Sequence, residues 1–179
     1  VVTIDRSLPT IFGPLYENET WTGDVTLTGD VTVPAGVTLT INPGVTVYFS
    51  ALTDNQGSGN NVDRSELIVE GSLSAVGTAV DGIVFTSSSA SPVKGDWHGI
   101  RVVTTGSAES VTMDYCTVSY GDLGIDIRTD GAGSSTTVSI TNSTVEETSG
   151  TGIIVYAMNS GGQVSATLSN NIILNNDSV

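Results

Sequence analysis

Nineteen Asp and Glu stand against five Lys and Arg in this chain of 179 residues, so carboxylates dominate whatever chemistry it does. The densest run of oxygen donors is Asp54-Asn55-Gln56-Gly57-Ser58-Gly59-Asn60-Asn61-Val62-Asp63, with Glu66 just beyond it. Hard cations take several oxygens from a flexible loop, which makes Asp54, Asn55, Asn60, Asp63 and Glu66 candidate calcium ligands. The spacing is not that of an EF-hand, and the glycine-aspartate nonapeptide of calcium-binding solenoids is absent. Asn, Gly and Asp are also the ordinary residues of loops. Glycoside hydrolysis needs two facing carboxylates, for which Asp114, Asp122, Asp126 and Asp130 are the clustered candidates. In a strand of period two, Asp126 and Arg128 point the same way, which predicts a surface ion pair. His98 is the one histidine and lacks nearby nitrogen or sulfur partners for a transition metal. A catalytic triad would need a serine and a carboxylate brought to it by neighbouring segments. Cys116 stands alone and reads as a small buried hydrophobe. No residue is assigned a catalytic role, and calcium is the one cofactor expected.

The charge balance removes whole classes of partner. A net charge of −14 repels phosphate backbones and anionic lipid, which excludes nucleic-acid binding and electrostatic membrane docking. No run approaches the roughly 18 apolar residues of a membrane span. The chain opens Val1-Val2-Thr3-Ile4, with neither an initiator Met nor a signal peptide, so a processed chain or an excised fragment is expected. Lysine-poor, hydroxyl-rich acidic chains point to an extracellular or cell-surface location.

Helical periodicity is almost absent, and short strands are everywhere. Val25-Thr26-Leu27-Thr28, Val31-Thr32-Val33, Val37-Thr38-Leu39-Thr40-Ile41 and Val45-Thr46-Val47-Tyr48-Phe49 alternate with period two. Gly29-Asp30, Pro34-Ala35-Gly36 and Asn42-Pro43-Gly44 separate them as turns. The pattern repeats: Leu39 matches Leu73, and Val45-Thr46-Val47 matches Ile83-Val84-Phe85 once 51–65 is set aside as an inserted loop. Met113, Ile140 and Leu168 fall in register, as do Val118, Val145 and Ile173, and Gly99-Ile100, Gly124-Ile125 and Gly152-Ile153. Three strands and three turns per repeat describe a triangular parallel coil, whose rungs stack like residues about 4.8 Å apart.

These residues, with Leu67-Ile68-Val69-Glu70-Gly71-Ser72-Leu73 and Gly95-Asp96-Trp97-His98-Gly99-Ile100, resemble right-handed parallel β-helix proteins of the pectin-lyase-like type. The resemblance runs from about Trp21 to Asp177 and is closer to the non-enzymatic modules of secreted and surface-exposed prokaryotic proteins. For an enzyme it implies carboxylates holding calcium against a uronate beside a Lys or Arg. Here only Arg6, Arg64, Lys94, Arg101 and Arg128 are available, and the net charge works against an anionic substrate.

The expected fold is therefore all-β: a single right-handed parallel β-helix of about seven rungs over 21–179, roughly 33 Å tall, after an extended segment, 1–20. The expected core columns include Val25, Leu27, Val33, Leu39, Ile41, Leu73, Val84, Ile100, Met113, Ile127, Val155, Leu168 and Ile173. Thr26-Leu27-Thr28 and Thr38-Leu39-Thr40 project paired hydroxyls, as ice-binding solenoids do. Such a face needs the motif on nearly every rung, and Ser72-Leu73-Ser74 and the later rungs read as mixed, so Thr is taken as an ordinary outward strand residue. Trp21, Trp97, Tyr115, Tyr120 and Tyr156 leave room for a weak glycan-stacking platform. No capping helix is visible at either end, and Val1, Val2, Thr3 and Ile4 form a β-prone stretch outside the repeats. The expectation is a non-enzymatic structural subunit that polymerises with copies of itself through Val1 to Leu15. The alternatives are a glycan-binding adhesin module with an extracellular polysaccharide as partner, or a polysaccharide lyase or hydrolase. A different outcome for the first segment is that it folds back and caps its own first rung.

Overall fold

A computed structural model describes residues 8–104, 107–130, 135–158 and 162–178. Among these there is no helix, and eighteen strands run in six rungs of three. The first rung holds β1 (Gly13–Pro14), β2 (Glu19–Trp21) and β3 (Val25–Leu27). The second holds β4 (Val31–Val33), β5 (Thr38–Ile41) and β6 (Thr46–Phe49), and the third β7 (Glu66–Val69), β8 (Ser72–Val76) and β9 (Ile83–Ser87). Next come β10 (Gly99–Thr104), β11 (Ser107–Asp114) and β12 (Cys116–Ser119), then β13 (Ile125–Asp130), β14 (Ser135–Thr141) and β15 (Thr144–Glu146). The sixth rung is β16 (Ile153–Met158), β17 (Gln163–Ser169) and β18 (Ile172–Leu174). Every third strand pairs in parallel, giving three six-stranded sheets that begin at β1, β2 and β3. The molecule is a parallel β-helix.

Period-two alternation puts one side of each strand inside, and the rung register then stacks those side chains into columns. The first sheet stacks Val31, Leu67, Ile100, Ile125 and Ile153. The second stacks Leu39, Leu73, Val111 and Val138, and the third Val25, Val47, Phe85, Val118, Val145 and Ile173. The corners are tight. Tyr115, Asn142 and Asn170 occupy one equivalent corner with positive φ, and Tyr120, Glu147 and Asn175 another, each allowing a one-residue change of direction. At Gly124 a Cβ would lie 2.2 Å from the Gly152 carbonyl oxygen, so that corner admits only glycine.

Four expectations are corrected. There are six rungs among the described residues, not about seven, because sixteen residues after β6 and eleven after β9 leave the coil. The first rung starts at Gly13 rather than Trp21: β1 pairs with β4 and β2 with β5, in a stretch whose Gly, Pro and Glu hide the strand pattern. Val84 faces outward while Ile83 and Phe85 fill the core; an all-apolar triplet carries no alternation to show which side is inside. Leu168 and Ile173 keep their column positions but are 46% and 47% exposed, since no further rung lies over them among the described residues.

Val1 to Ile4 lie outside the described residues. The part of the first segment that is described binds its own coil: Thr10 donates from its backbone N–H and hydroxyl to Glu19, and Thr28 donates to the Ile11 carbonyl. Leu15, in the segment expected to meet a neighbour, is buried in the chain's own core.

Column position sets the cost of truncation. Leu73→Ala, enclosed between Leu39 and Val111, should destabilise by about 2–5 kcal/mol in urea unfolding, whereas Leu168→Ala on the open rung should cost under about 1 kcal/mol.

Candidate functional site

The two excursions leave the coil at the same corner, between the third and first sheets, and run along the axis in opposite directions. Residues 50–65 reach back to the first rung, where Asn55 donates its N–H to the Thr28 carbonyl (3.0 Å). Residues 88–98 reach forward: Gly95 donates to the Gly121 carbonyl (3.2 Å), and Lys94 Nζ reaches Asp177 Oδ1 (2.5 Å) two rungs further on. Leu52 N–H to the Asp96 carbonyl (2.8 Å) joins the two excursions. Trp97 anchors the second. It is fully buried, stacks on Phe49 at 3.8 Å with 12° between the rings, and donates Nε1–H to the Ser119 carbonyl (2.8 Å).

This arrangement gathers the scarce positive charge. Arg64, Lys94, Arg101 and Arg128 all lie on this corner or on the outer face of the adjoining first sheet, with His98 beside them; Arg6 lies outside the described residues. Asp122 is the hub of the forward half. Ser149 donates its hydroxyl to Oδ1 (2.7 Å), while His98 Nδ1 (3.4 Å) and Arg64 Nη1 (3.9 Å) face Oδ2. His98 is 7% exposed, and neither of its ring nitrogens has a hydrogen-bond partner among the described residues. A serine and a carboxylate do come to this histidine from neighbouring rungs, but Ser149 bonds the carboxylate rather than the imidazole, so no nucleophile–base pair is assembled.

The 54–66 oxygens are tied into the chain. Asp54 accepts the N–H groups of Gln56 (3.0 Å) and Ser58 (2.8 Å), closing its own loop. Asn55 bonds through its backbone, Asn60 donates its N–H to Glu66 Oε1, and Asp63 is exposed with its N–H on Asn61 Oδ1. Glu66 is fully buried and drawn to Arg101 Nη1 (2.7 Å). Among the described residues no group of three or more His, Cys, Asp or Glu is arranged to hold a metal.

Asp30, which the sequence offers only as half of a Gly-Asp turn, is buried beside them. It accepts the Ser58 hydroxyl (2.7 Å) and the Glu66 N–H (3.0 Å). Burial raises its pKa to about 6, with Glu66 and Asp54 adding to the rise and those two hydrogen bonds opposing it.

The expected hydrolase carboxylates separate. Asp114 ends β11 in the second sheet and accepts from Thr141 and Asn142, Asp122 sits in the corner, and Asp126 faces out of the first sheet. Asp130 lies at the far end of β13. Asp126 and Arg128 pair as expected, through Nε to Oδ1 (2.8 Å) and Nη2 to Oδ2 (2.5 Å), with Arg128 also 5.0 Å over the Tyr156 ring, but the pair is not a surface one, because Asp126 is fully buried. Hydrogen bonding to Asp126 pushes the guanidinium pKa up. Cys116 is buried with its thiol on the Ala75 carbonyl, and burial raises its pKa to about 12, which makes it inert.

The six stacked rungs agree with a family whose sequence pattern matches: the pectate-lyase-like β-helix domain, over residues 14–171. The chain belongs to that family. No curated protein and no solved structure matches it. In this pectate-lyase-like domain the outer face of the first sheet carries a ladder of alternating sign, Arg101 beside Asp126 in register, with Glu66 and Arg128 closing its two ends. A separate groove of about 460 Å³ lies at the first rung, lined by Leu8, Ile11, Phe12, Tyr16 and Gln56 among others.

Two outcomes test this account. The folded pKa of Asp30, about 6, lies above its ordinary 3.8, so the folded state holds the proton more tightly between those values. Stability should fall as pH rises through that window, by about 2 kcal/mol relative to Asp30→Asn, in urea titrations at pH 4 and pH 7. Arg101→Gln leaves Glu66 buried and unpaired and should cost about 3–5 kcal/mol at pH 7, an effect that Glu66→Gln in the same chain should relieve.

Proposed function

We propose that this pectate-lyase-like domain is a non-enzymatic structural module of an extracellular or cell-surface protein. The observation that carries the reading is that the charged side chains of the corner hold one rung to another instead of converging on open space. Lys94 ties the third-rung excursion to Asp177, Asp122 gathers Arg64 and Ser149, and Glu66 holds Arg101. These contacts serve axial rigidity, as a stalk, spacer or filament subunit requires. Self-association belongs to the same reading. The inward column residues Leu168 and Ile173 form an apolar step on which a further parallel rung stacks, from this polypeptide or from a neighbour.

A second reading, a glycan-binding adhesin module, is favoured by the first-rung groove, where Phe12 and Tyr16 are 52% and 80% exposed beside the Gln56 carboxamide. Calcium in the 54–66 excursion would have to compete with Arg101 for Glu66. A melting temperature that rises with added calcium and falls in chelator supports the ion, and an unchanged melt removes it.

Electron microscopy and sedimentation of the chain, with a uronate-lyase assay and a glycan array alongside, test the proposal. Filaments or higher oligomers are expected, dissolved by Leu168→Glu without a change in circular dichroism. Turnover of a polysaccharide, or a strictly monomeric chain at high concentration, overturns the respective half of it.

A further inference from the structure

The outer face of the second sheet carries a lattice of hydroxyl groups. Thr20, Thr40, Ser74, Thr112, Ser139 and Thr167 stack in one column, one on each of the six rungs. Two residues earlier along the strands a second column runs through Thr38, Ser72, Ser110, Thr137 and Ser165. Rung spacing and strand rise set the grid at about 4.8 Å by about 6.7 Å. Ser72 accepts the Ser110 N–H; among the described residues no hydroxyl of the first column bonds to another group of the protein. Each offers one donor and two acceptors to whatever lies outside.

The other two faces differ. The corresponding column of the first sheet reads Thr32, Ile68, Arg101, Asp126 and Ile154. In the third sheet Thr26, Tyr48 and Thr86 are in register, followed by Ser119, Glu146 and Leu174, and its other outward column reads Thr46, Val84, Thr117, Thr144 and Ile172. Ordinary solvation of outward strand positions would have produced three mixed faces of that kind. Only these two columns are uniform, and both exclude charge although the chain carries −14; the next outward column of the same sheet, Val76, Asp114, Thr141 and Ser169, is mixed and bounds the lattice on that side.

The partner's chemistry follows from what is repeated and what is missing. A small dissolved ligand gains nothing from six copies of one group, whereas a ligand that itself repeats in two dimensions meets all of them. Absence of charge removes ionic polymers. Absence of any aromatic ring from the columns removes the stacking platform on which pyranose rings are held. What remains is a neutral lattice of hydrogen-bond donors and acceptors. We propose that the outer face of the second sheet binds ordered water at the surface of ice. The paired hydroxyls of Thr38-Leu39-Thr40 are then the first full rung of a motif that continues as Ser72-Leu73-Ser74, Ser110-Val111-Thr112, Thr137-Val138-Ser139 and Ser165-Ala166-Thr167. Thr26-Leu27-Thr28 belongs to the third sheet and plays no part.

The test is partition of the fluorescently labelled chain into a slowly growing ice crystal, beside an unrelated acidic protein. The chain should enter the ice and the control should stay in the liquid. Thr112→Tyr, in the middle of the first column, should abolish entry, and so should Thr137→Tyr, which is exposed in the second column and keeps the test open if the first variant fails to fold. Thr117→Tyr on the third sheet should enter as the parent does, and circular dichroism checks each fold. Exclusion of the parent chain from ice overturns the proposal, as does undiminished entry of a folded Thr112→Tyr or Thr137→Tyr. Retention on crystalline cellulose but not in ice overturns it in favour of a glycan lattice.

Discussion

Everything in this molecule depends on the parallel register between rungs, which places each residue directly over its equivalent about 4.8 Å away. That constraint turns period-two alternation within short strands into continuous aliphatic columns such as Val31, Leu67, Ile100 and Ile125. It also explains how strands of three or four residues suffice. Each has little surface of its own, but its inward side chains are covered above and below as well as across the interior. The uncovered case shows the dependence: Leu168 has the same inward position as Ile140 and yet is 46% exposed, no rung lying over it among the described residues.

A stack of repeats contacts only its nearest neighbours, so in principle it frays one rung at a time. The two excursions counter this by contacts that skip rungs. Residues 50–65 fold back to Thr28 and Asp30, and residues 88–98 reach forward to Gly121 and Asp177. Their common root is the Trp97–Phe49 stack, an aromatic plug joining β6 to the residues just before β10. The charge cluster sits where these contacts meet. Its siting is a consequence of bracing, which is why its carboxylates end on backbone N–H groups, hydroxyls and the cationic ends of Arg and Lys.

The columns were legible from spacing alone wherever apolar and polar residues alternate, and the pairings of Leu39 with Leu73 and of Met113 with Ile140 follow from it. The register failed to show inside Ile83-Val84-Phe85, where alternation is lost, and at Gly13 to Trp21, where two of the strand residues are Gly and Pro. The candidate site was legible in part. Asp126 with Arg128 follows from period two, but Glu66 with Arg101 joins residues 35 apart across an excursion, and no local pattern announces it. Asp30 was invisible because a Gly-Asp turn reads as exposed, whereas the returning 54–66 segment buries it. The hydroxyl columns were hidden by the alternation of Ser with Thr and by unequal rung lengths, and they become visible once strand partners are assigned.

The same register that builds the core makes charge dangerous on the outside. Two like charges stacked in adjacent rungs at about 4.8 Å repel by roughly 3 kcal/mol at an effective dielectric of about 20, and a column of six multiplies the problem. With −14 to accommodate, the chain obeys a simple exclusion: among the described residues, no acid is paired with another acid in any strand register. Glu66 faces Gly99; Asp126 lies between Arg101 and Ile154; Asp114 lies between Val76 and Thr141; Glu146 lies between Ser119 and Leu174. Acids not in strands fall at turns and excursions, where unequal lengths break the stack. A hydroxyl suffers no such penalty, because identical neighbours donate and accept in turn. Stacking therefore sorts the surface as firmly as it sorts the core, sending carboxylates to corners or beside cations and leaving hydroxyls free to repeat along two columns of one face.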